Sequence, residues 1–126
     1  LCEKRDVLIQ QYLPEIKSGG ELSFIFFNGK FSHAIKKLPT GDEFRVQQEY
    51  GGIREKFNPE KQLIAQASNI LGKVGSNLLS CRVDVVLSDN KAYLIELEII
   101  DPMLFLSFDD EAPKKFAQAI HEALSI

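Results

Sequence analysis

Apolar and polar positions alternate most regularly over residues 82–100, where the pattern predicts two strands joined by a turn. Val83, Val85 and Leu87 alternate with Arg82, Asp84 and Val86, the period-2 signature of a strand with two unlike faces. Beyond a turn at Ser88, Asp89 and Asn90, one face takes Tyr93, Ile95, Leu97 and Ile99. The other takes Leu94, Glu96, Glu98 and Ile100. Pro102 closes the second strand.

The same reading predicts a run of strands earlier in the chain. Residues 6–13 form one that Pro14 ends, because proline cannot donate to a sheet ladder. Residues 15–20 are a loop finishing in Gly19 and Gly20. Residues 21–27 and 30–38 pair around Asn28-Gly29, two residues that tolerate the positive φ of a type I′ turn. After a turn at 39–42, a strand over 43–49 completes an antiparallel meander. Gly51-Gly52 opens a loop through residues 53–57. A helix then starts with Asn58 as cap, Pro59 at its first position and Glu60 complementing the dipole. Leu63, Ile64, Ala67, Ile70 and Leu71 form its apolar stripe, and Gly72 ends it. A short apolar segment at 103–108 leads into a final helix burying Phe116, Ala119, Ile120, Ala123 and Leu124. Strands, helix, strands, helix imply an α+β domain, an antiparallel sheet with its helices packed on one face and the other face left for a ligand.

Composition narrows the function classes. A chain of 126 residues, 44% apolar and 26% charged, is a single globular domain of ordinary balance. Its net charge of −3 argues against a nucleic-acid surface. No apolar run approaches the roughly 20 residues of a membrane span. Cys2 and Cys81 have neither metal-ligand spacing nor a disulfide framework, which suits a reducing, cytoplasmic setting. The chain opens on Leu1 without an initiator Met and reads as a fragment.

The candidate chemistry sits on the predicted hairpin. Asp84, Glu96 and Glu98 are carboxylates on neighbouring strands that can project to one side. Three like charges repel and resist desolvation unless a cation sits among them. Hard oxygen donors suit Mg²⁺ or Mn²⁺. The residues alone support a solvent-facing acidic strand equally well. Arg82 either pairs with a neighbouring acid or meets a phosphate, and Arg45 is either a phosphate contact or a solvated strand residue. One of Lys36 and Lys37 faces the same cleft. His33 is a hydrogen-bonded structural histidine, Cys81 is packed, and Phe24, Phe26, Phe27 and Phe31 are core.

Residues 10–17 (Gln-Gln-Tyr-Leu-Pro-Glu-Ile-Lys), Gly20-Glu21, the Asn28-Gly29 hairpin, Phe44-Arg45-Val46-Gln47, Gly51-Gly52 and the Arg82–Asp84 to Glu96–Glu98 hairpin recur in a distinctive order. Together they resemble the carboxy-terminal half of an ATP-grasp ligase of the prokaryotic glutathione synthetase type, over nearly the whole chain. The resemblance implies an ATP-grasp subdomain over residues 1–126, with amino-terminal and central domains outside it. It implies ATP-dependent joining of a small-molecule carboxylate to an amine or similar nucleophile through an acyl-phosphate, without nucleic acid or membrane partners. By the same resemblance, Gln10, Gln11, Tyr12 and Leu13 hold the adenine. Glu21, or Glu15 in its place, contacts the ribose. Arg45 and Arg82 meet the phosphates or the acyl-phosphate, and Asp84, Glu96 and Glu98 hold Mg²⁺ or Mn²⁺. Two positions depart from the family's habit: Glu98 stands where Asn is usual, and Gln10 where Glu is frequent. A fragment without the other domains is expected to be inactive alone, and its uncovered sheet face invites homo-oligomerisation. The alternative is a non-catalytic nucleotide- or partner-binding module that keeps the sheet without turnover.

Overall fold

The computed structural model describes residues 6–39, 52–75 and 78–125. Its centre is β1 (Glu21–Phe27), in which every residue is buried because both faces and both edges are covered. β2 (Lys30–Leu38) returns antiparallel on one side, and β4 (Ser80–Ser88) pairs antiparallel on the other. β3 (Ile53–Phe57) and β5 (Lys91–Glu98) form the edges, giving the order β3-β2-β1-β4-β5. Both hairpin turns run as the sequence predicts. Asn28 and Gly29 have φ of 46° and 73°, and Asp89 and Asn90 have φ of 50° and 61°.

Two bulges set which side chains share a face. Ile25 pairs with His33 and Phe26 with Phe31, so Ser32 is an extra residue in β2. Asp84 pairs with Glu96 and Val85 with Leu94, so Ile95 is extra in β5. The second bulge reverses the predicted faces near the turn. Leu94 lies opposite Val85 on the apolar side, whereas Tyr93 lies opposite Val86 on the side of Asp84.

The α+β architecture with an antiparallel sheet holds, but the helices divide between its two faces. On one, α2 (Lys61–Gly72) packs Leu63, Ala67 and Leu71 against Leu22, Phe24, Phe26, Val83 and Val85. Gln66 pins α2 to the β4–β5 turn, donating to the Asn90 carbonyl and accepting from the Ala92 amide. On the other face, Ile25, Phe27 and Ile35 are also apolar. They are covered by Phe105 and by Phe116 and Ala119, the last two from α3 (Ala112–Leu124). Beside these apolar residues the same face carries a row of charged side chains, and Val86 and Tyr93 lie on it as well.

Other elements differ from expectation for local reasons. Residues 6–13 form no strand and lie mostly exposed. Pro14, with helical φ and ψ of −63° and −21°, instead leads into α1 (Glu15–Gly19), consistent with a fixed proline φ that suits a helix start. α1 lies against β4, where Ser88 Oγ donates to Glu15 Oε1 at 2.5 Å. Residues 53–57 are a strand and not a loop: β3 pairs along β2 and lays Phe57 on the α2 side. Helix α2 begins after an extended Glu60 without a side-chain cap, so Asn58 and Pro59 precede it. In α3, Phe116 and Ala119 pack into the second apolar cluster, whereas Ile120 and Leu124 are 37% and 77% exposed and Ala123 is exposed too. The predicted strand at 43–49 and Gly51 lie outside the described residues. Among the described residues no helix is long and apolar enough to cross a membrane.

Candidate functional site

The polar part of the sheet face opposite α2 carries charged side chains from all five strands. Strand register puts Arg54 opposite Lys37, Lys37 opposite Glu21, Ser23 opposite Asp84, Asp84 opposite Glu96 and Arg82 opposite Glu98. Asp84 is the centre, with 1% of its side chain exposed. Arg82 Nε donates to both its oxygens, at 2.9 and 3.0 Å, and Arg82 Nη2 to Oδ2 at 2.8 Å. Lys37 Nζ reaches the same Oδ2 at 3.0 Å and Glu21 Oε1 at 2.5 Å. Arg82 Nη2 also donates to Glu98 Oε1 at 2.5 Å and lies 3.7 Å from Glu96 Oε2.

Burial and pairing pull these groups in opposite directions. Burial alone would push the Asp84 carboxyl up, but the charges of Lys37 and Arg82 outweigh it and hold Asp84 below the usual carboxylate range. For Glu21, burial prevails over the attraction of Lys37, and the neighbouring Asp84 charge adds to it, so its carboxyl is raised. Burial also disfavours the charged Arg82, but Asp84 and Glu98 more than compensate and keep its guanidinium firmly protonated.

One aromatic ring underlies the cations. Phe105 has its centroid 5.2 Å from the Arg54 guanidinium carbon, 5.6 Å from that of Arg82 and 5.7 Å from Lys37 Nζ. Phe105 takes a left-handed conformation, φ 49° and ψ 39°. The segment is tied down next door: His33 Nε2 donates to the Leu104 carbonyl at 2.9 Å while its Nδ1 accepts from Ser32 Oγ. Burial lowers the His33 pKa, so the histidine is neutral and structural, as expected.

Asp84, Glu96 and Glu98 therefore do share a face, and Arg82 stands among them. The pairing of Arg82 with neighbouring acids is the alternative the structure displays. Of the two lysines, Lys37 faces the cluster, while Lys36 lies opposite Leu22 on the α2 side. Sequence parity could not decide this, because the Ser32 bulge flips every residue after it. Phe105 went unnoticed for a similar reason, since it stands in a segment without a period. Glu21 lies inside the network, and Glu15 lies apart from it on α1. Of the residues expected at the adenine, Gln10 donates from Nε2 to the Leu94 carbonyl of β5 at 2.7 Å, and Gln11, Tyr12 and Leu13 follow it in the same irregular segment. Arg45 lies outside the described residues. Cys81 is buried against α2, its thiol pushed up to about 11 by burial.

The acidic trio has the hard-oxygen chemistry that magnesium requires. Both Asp84 oxygens, however, are already ion-paired, and Glu96 points outward with 57% of its side chain exposed. Among the described residues no three acidic, histidine or cysteine side chains converge as metal donors in this arrangement. The trio fits a divalent ion in donor type and face, provided that Asp84 exchanges its present partners.

Residues 2–111 match the family model for the ATP-grasp domain of prokaryotic glutathione synthetase. The cycloserine biosynthesis protein DcsG of Streptomyces lavendulae is 31% identical over 98% of this chain, and a glutathione synthetase of Synechococcus elongatus is 32% identical over 76%. The chain spans 44% and 28% of the lengths of these two relatives. Among solved structures, D-cycloserine synthetase DcsG superimposes with a TM-score of 0.72 at 28% identity, covering 92% of this chain and 42% of that one. A D-alanine–D-alanine ligase from Bacillus anthracis complexed with ATP shares the fold, with a TM-score of 0.58 at 20% identity over 82% of this chain and 37% of its own.

Proposed function

Because the chain belongs to the prokaryotic glutathione synthetase ATP-grasp family, we propose that it is the ATP-binding, carboxy-terminal part of a ligase joining a carboxylate to an amine or similar nucleophile. The observation that carries this reading is the charged row on one sheet face, in which Arg82, Asp84, Glu96 and Glu98 stand together.

In the reaction we infer, a substrate carboxylate oxygen attacks the γ-phosphorus of ATP, and the bond to the ADP oxygen breaks. The resulting acyl-phosphate is opened by the amine, with inorganic phosphate leaving. Phosphoryl transfer of this kind depends on alignment and charge compensation more than on covalent help. Arg82 suits that task, because its guanidinium is held by several donated bonds and offers a fixed positive charge without reorganisation. Arg45 is assigned a similar phosphate contact. Gln10, Gln11, Tyr12 and Leu13 are assigned to adenine and Glu21 to the ribose. Mg²⁺ or Mn²⁺ held by Asp84, Glu96 and Glu98 would supply neutralisation of the phosphate oxygens. The setting we infer is the reducing cytoplasm.

The test is ADP release by the full-length protein against a panel of carboxylates paired with amines. Release should require both substrates. Arg82→Leu should lower turnover by about a hundredfold or more, the scale seen when one preorganised charge-stabilising donor is lost. Full activity in Asp84→Asn, Glu96→Gln and Glu98→Gln together would remove the metal assignment. A second reading, a nucleotide-binding module without turnover, draws on the internal neutralisation of Asp84 by Lys37 and Arg82. ATP binding with no ADP release for any substrate pair would favour it.

A further inference from the structure

We infer that Phe105 is a positioning residue for phosphoryl transfer, whose ring holds the Arg82 guanidinium through its π surface and leaves the Nη1 edge of that group to a phosphate oxygen. The inference rests on the assignment of Arg82 as a cation that compensates charge on the transferred phosphate.

The donors of Arg82 are unequally committed. Its Nε donates to both Asp84 oxygens, and its Nη2 to Asp84 and Glu98. Its Nη1 meets the Met103 carbonyl at 3.5 Å, the long limit of a hydrogen bond, and is the edge that an incoming anion can take over. A further carboxylate would restrain the guanidinium but would compete with phosphate for that edge. An aromatic face attracts the same charge without engaging the in-plane N–H groups. The Phe105 centroid lies 5.6 Å from the guanidinium carbon, within range of that attraction.

The backbone that presents this ring is strained. The φ of 49° and ψ of 39° at Phe105 are left-handed, a conformation that a bulky residue keeps only where its surroundings impose it. Those surroundings lie on both sides. His33 Nε2 donates to the Leu104 carbonyl at 2.9 Å, and the Phe108 amide donates to the Phe105 carbonyl at 3.0 Å. The Phe108 ring meets the Phe105 ring edge-on, with centroids 6.1 Å apart, and Phe105 shares a buried cluster with Ile25 and Ile35 of the sheet. Three consecutive residues therefore act together. The Met103 carbonyl meets the Arg82 edge, the Leu104 carbonyl is bonded to β2, and the ring that follows is fixed between the apolar cluster and the cations.

The experiment replaces Phe105 in the full-length protein with mono-, di- and trifluorophenylalanine, which keep the shape of the ring while progressively weakening its quadrupole. ADP release is followed with ATP and each carboxylate–amine pair of the panel. With a pair that turns over, kcat should fall in step with fluorination, by about five- to thirtyfold at the trifluoro ring, the range of one cation–π contact. The KM for ATP should change little, because Arg82 acts on charge that develops during transfer. Without ligands, rotation about the Arg82 Cζ–Nε bond, read by nitrogen-15 exchange spectroscopy, should quicken in the same order. Phe105→Leu, apolar but without a π face, should resemble the trifluoro protein. If that variant does not fold, the fluorinated series, which preserves the packing, decides alone. A kcat or a rotation rate indifferent to fluorination, alongside lost turnover in Arg82→Leu, would overturn the role of Phe105 and leave the Arg82 assignment standing. Full turnover in Arg82→Leu would overturn that assignment and this inference with it. ADP release with no pair at all would remove the ligase reading on which both depend.

Discussion

Asp84 and Glu21 are both buried, acidic and bound to the same lysine, yet they contribute to stability with opposite sign. Asp84 is held below its ordinary value of 3.8, so the folded protein binds fewer protons than the unfolded chain. Its contribution is complete above the unfolded carboxylate value and is lost as pH falls through the folded one. Glu21 is raised above 4.5, so a cost to stability sets in as pH climbs through that value and is complete above its folded pKa. Asp84→Asn should therefore cost about 3–5 kcal/mol at pH 7, because it leaves Arg82 and Lys37 facing a neutral amide. Glu21→Gln should change stability by no more than about 1 kcal/mol, since Lys37 keeps Asp84 and a burial penalty disappears. Urea titrations between pH 3 and 7 check both: the asparagine variant should flatten the acid limb, and the glutamine variant should not. Cys81, with its thiol at about 11, should resist thiol reagents at pH 8 until the protein unfolds, as cysteine-resolved mass spectrometry of labelled protein would report.

At the scale of elements, glycines and bulges decide where the chain can be read in advance. Asn28-Gly29 was legible because a type I′ turn needs positive φ at both positions, and few residue pairs supply it. Gly20 carries a stricter constraint. Its φ of 73° and ψ of −171° lie in a region essentially confined to glycine. A Cβ there would also sit 2.3 Å from the Lys37 carbonyl oxygen, whereas one at Gly29 would meet nothing within 4 Å. Gly20→Ala should accordingly cost roughly 3 kcal/mol or more, and Gly29→Ala about 1 kcal/mol, measured by chemical denaturation. The bulges at Ser32 and Ile95 leave no such mark in composition. Each shifts a strand's parity by one residue, which is why the choice between Lys36 and Lys37 stayed open and the positions of Tyr93 and Leu94 came out exchanged. β3 was hidden differently, because an edge strand of the form Ile-Arg-Glu-Lys-Phe shows three consecutive charges in place of an alternation.

For the molecule as a whole, the acidic trio's common face was legible from period-2 spacing, but the division of helices between faces was not. Ile25, Phe27 and Ile35 make the second face apolar at one end, and only the register reveals that they lie together. The result is a sheet in which protection from solvent should fall from the centre outward. β1 is bonded on both edges and covered on both faces, and β4 pairs with it through Val83 and Val85, both fully buried. β3 and β5 each pair along one edge of this sheet, and β5 carries Tyr93 and Leu94 at 43% and 39% exposure. Local opening at an edge breaks one ladder and exposes little apolar surface, whereas freeing β1 separates the α2 core from the Phe105–Ala119 core and is equivalent to global unfolding. Native-state hydrogen exchange should therefore find the amides of Phe24, Phe26, Val83 and Val85 exchanging only with the full unfolding free energy. Those of β3 and β5 should exchange earlier through smaller openings. Equal protection across all five strands would mean that the edges are held as firmly as the centre, and the layered account of this fold would fail.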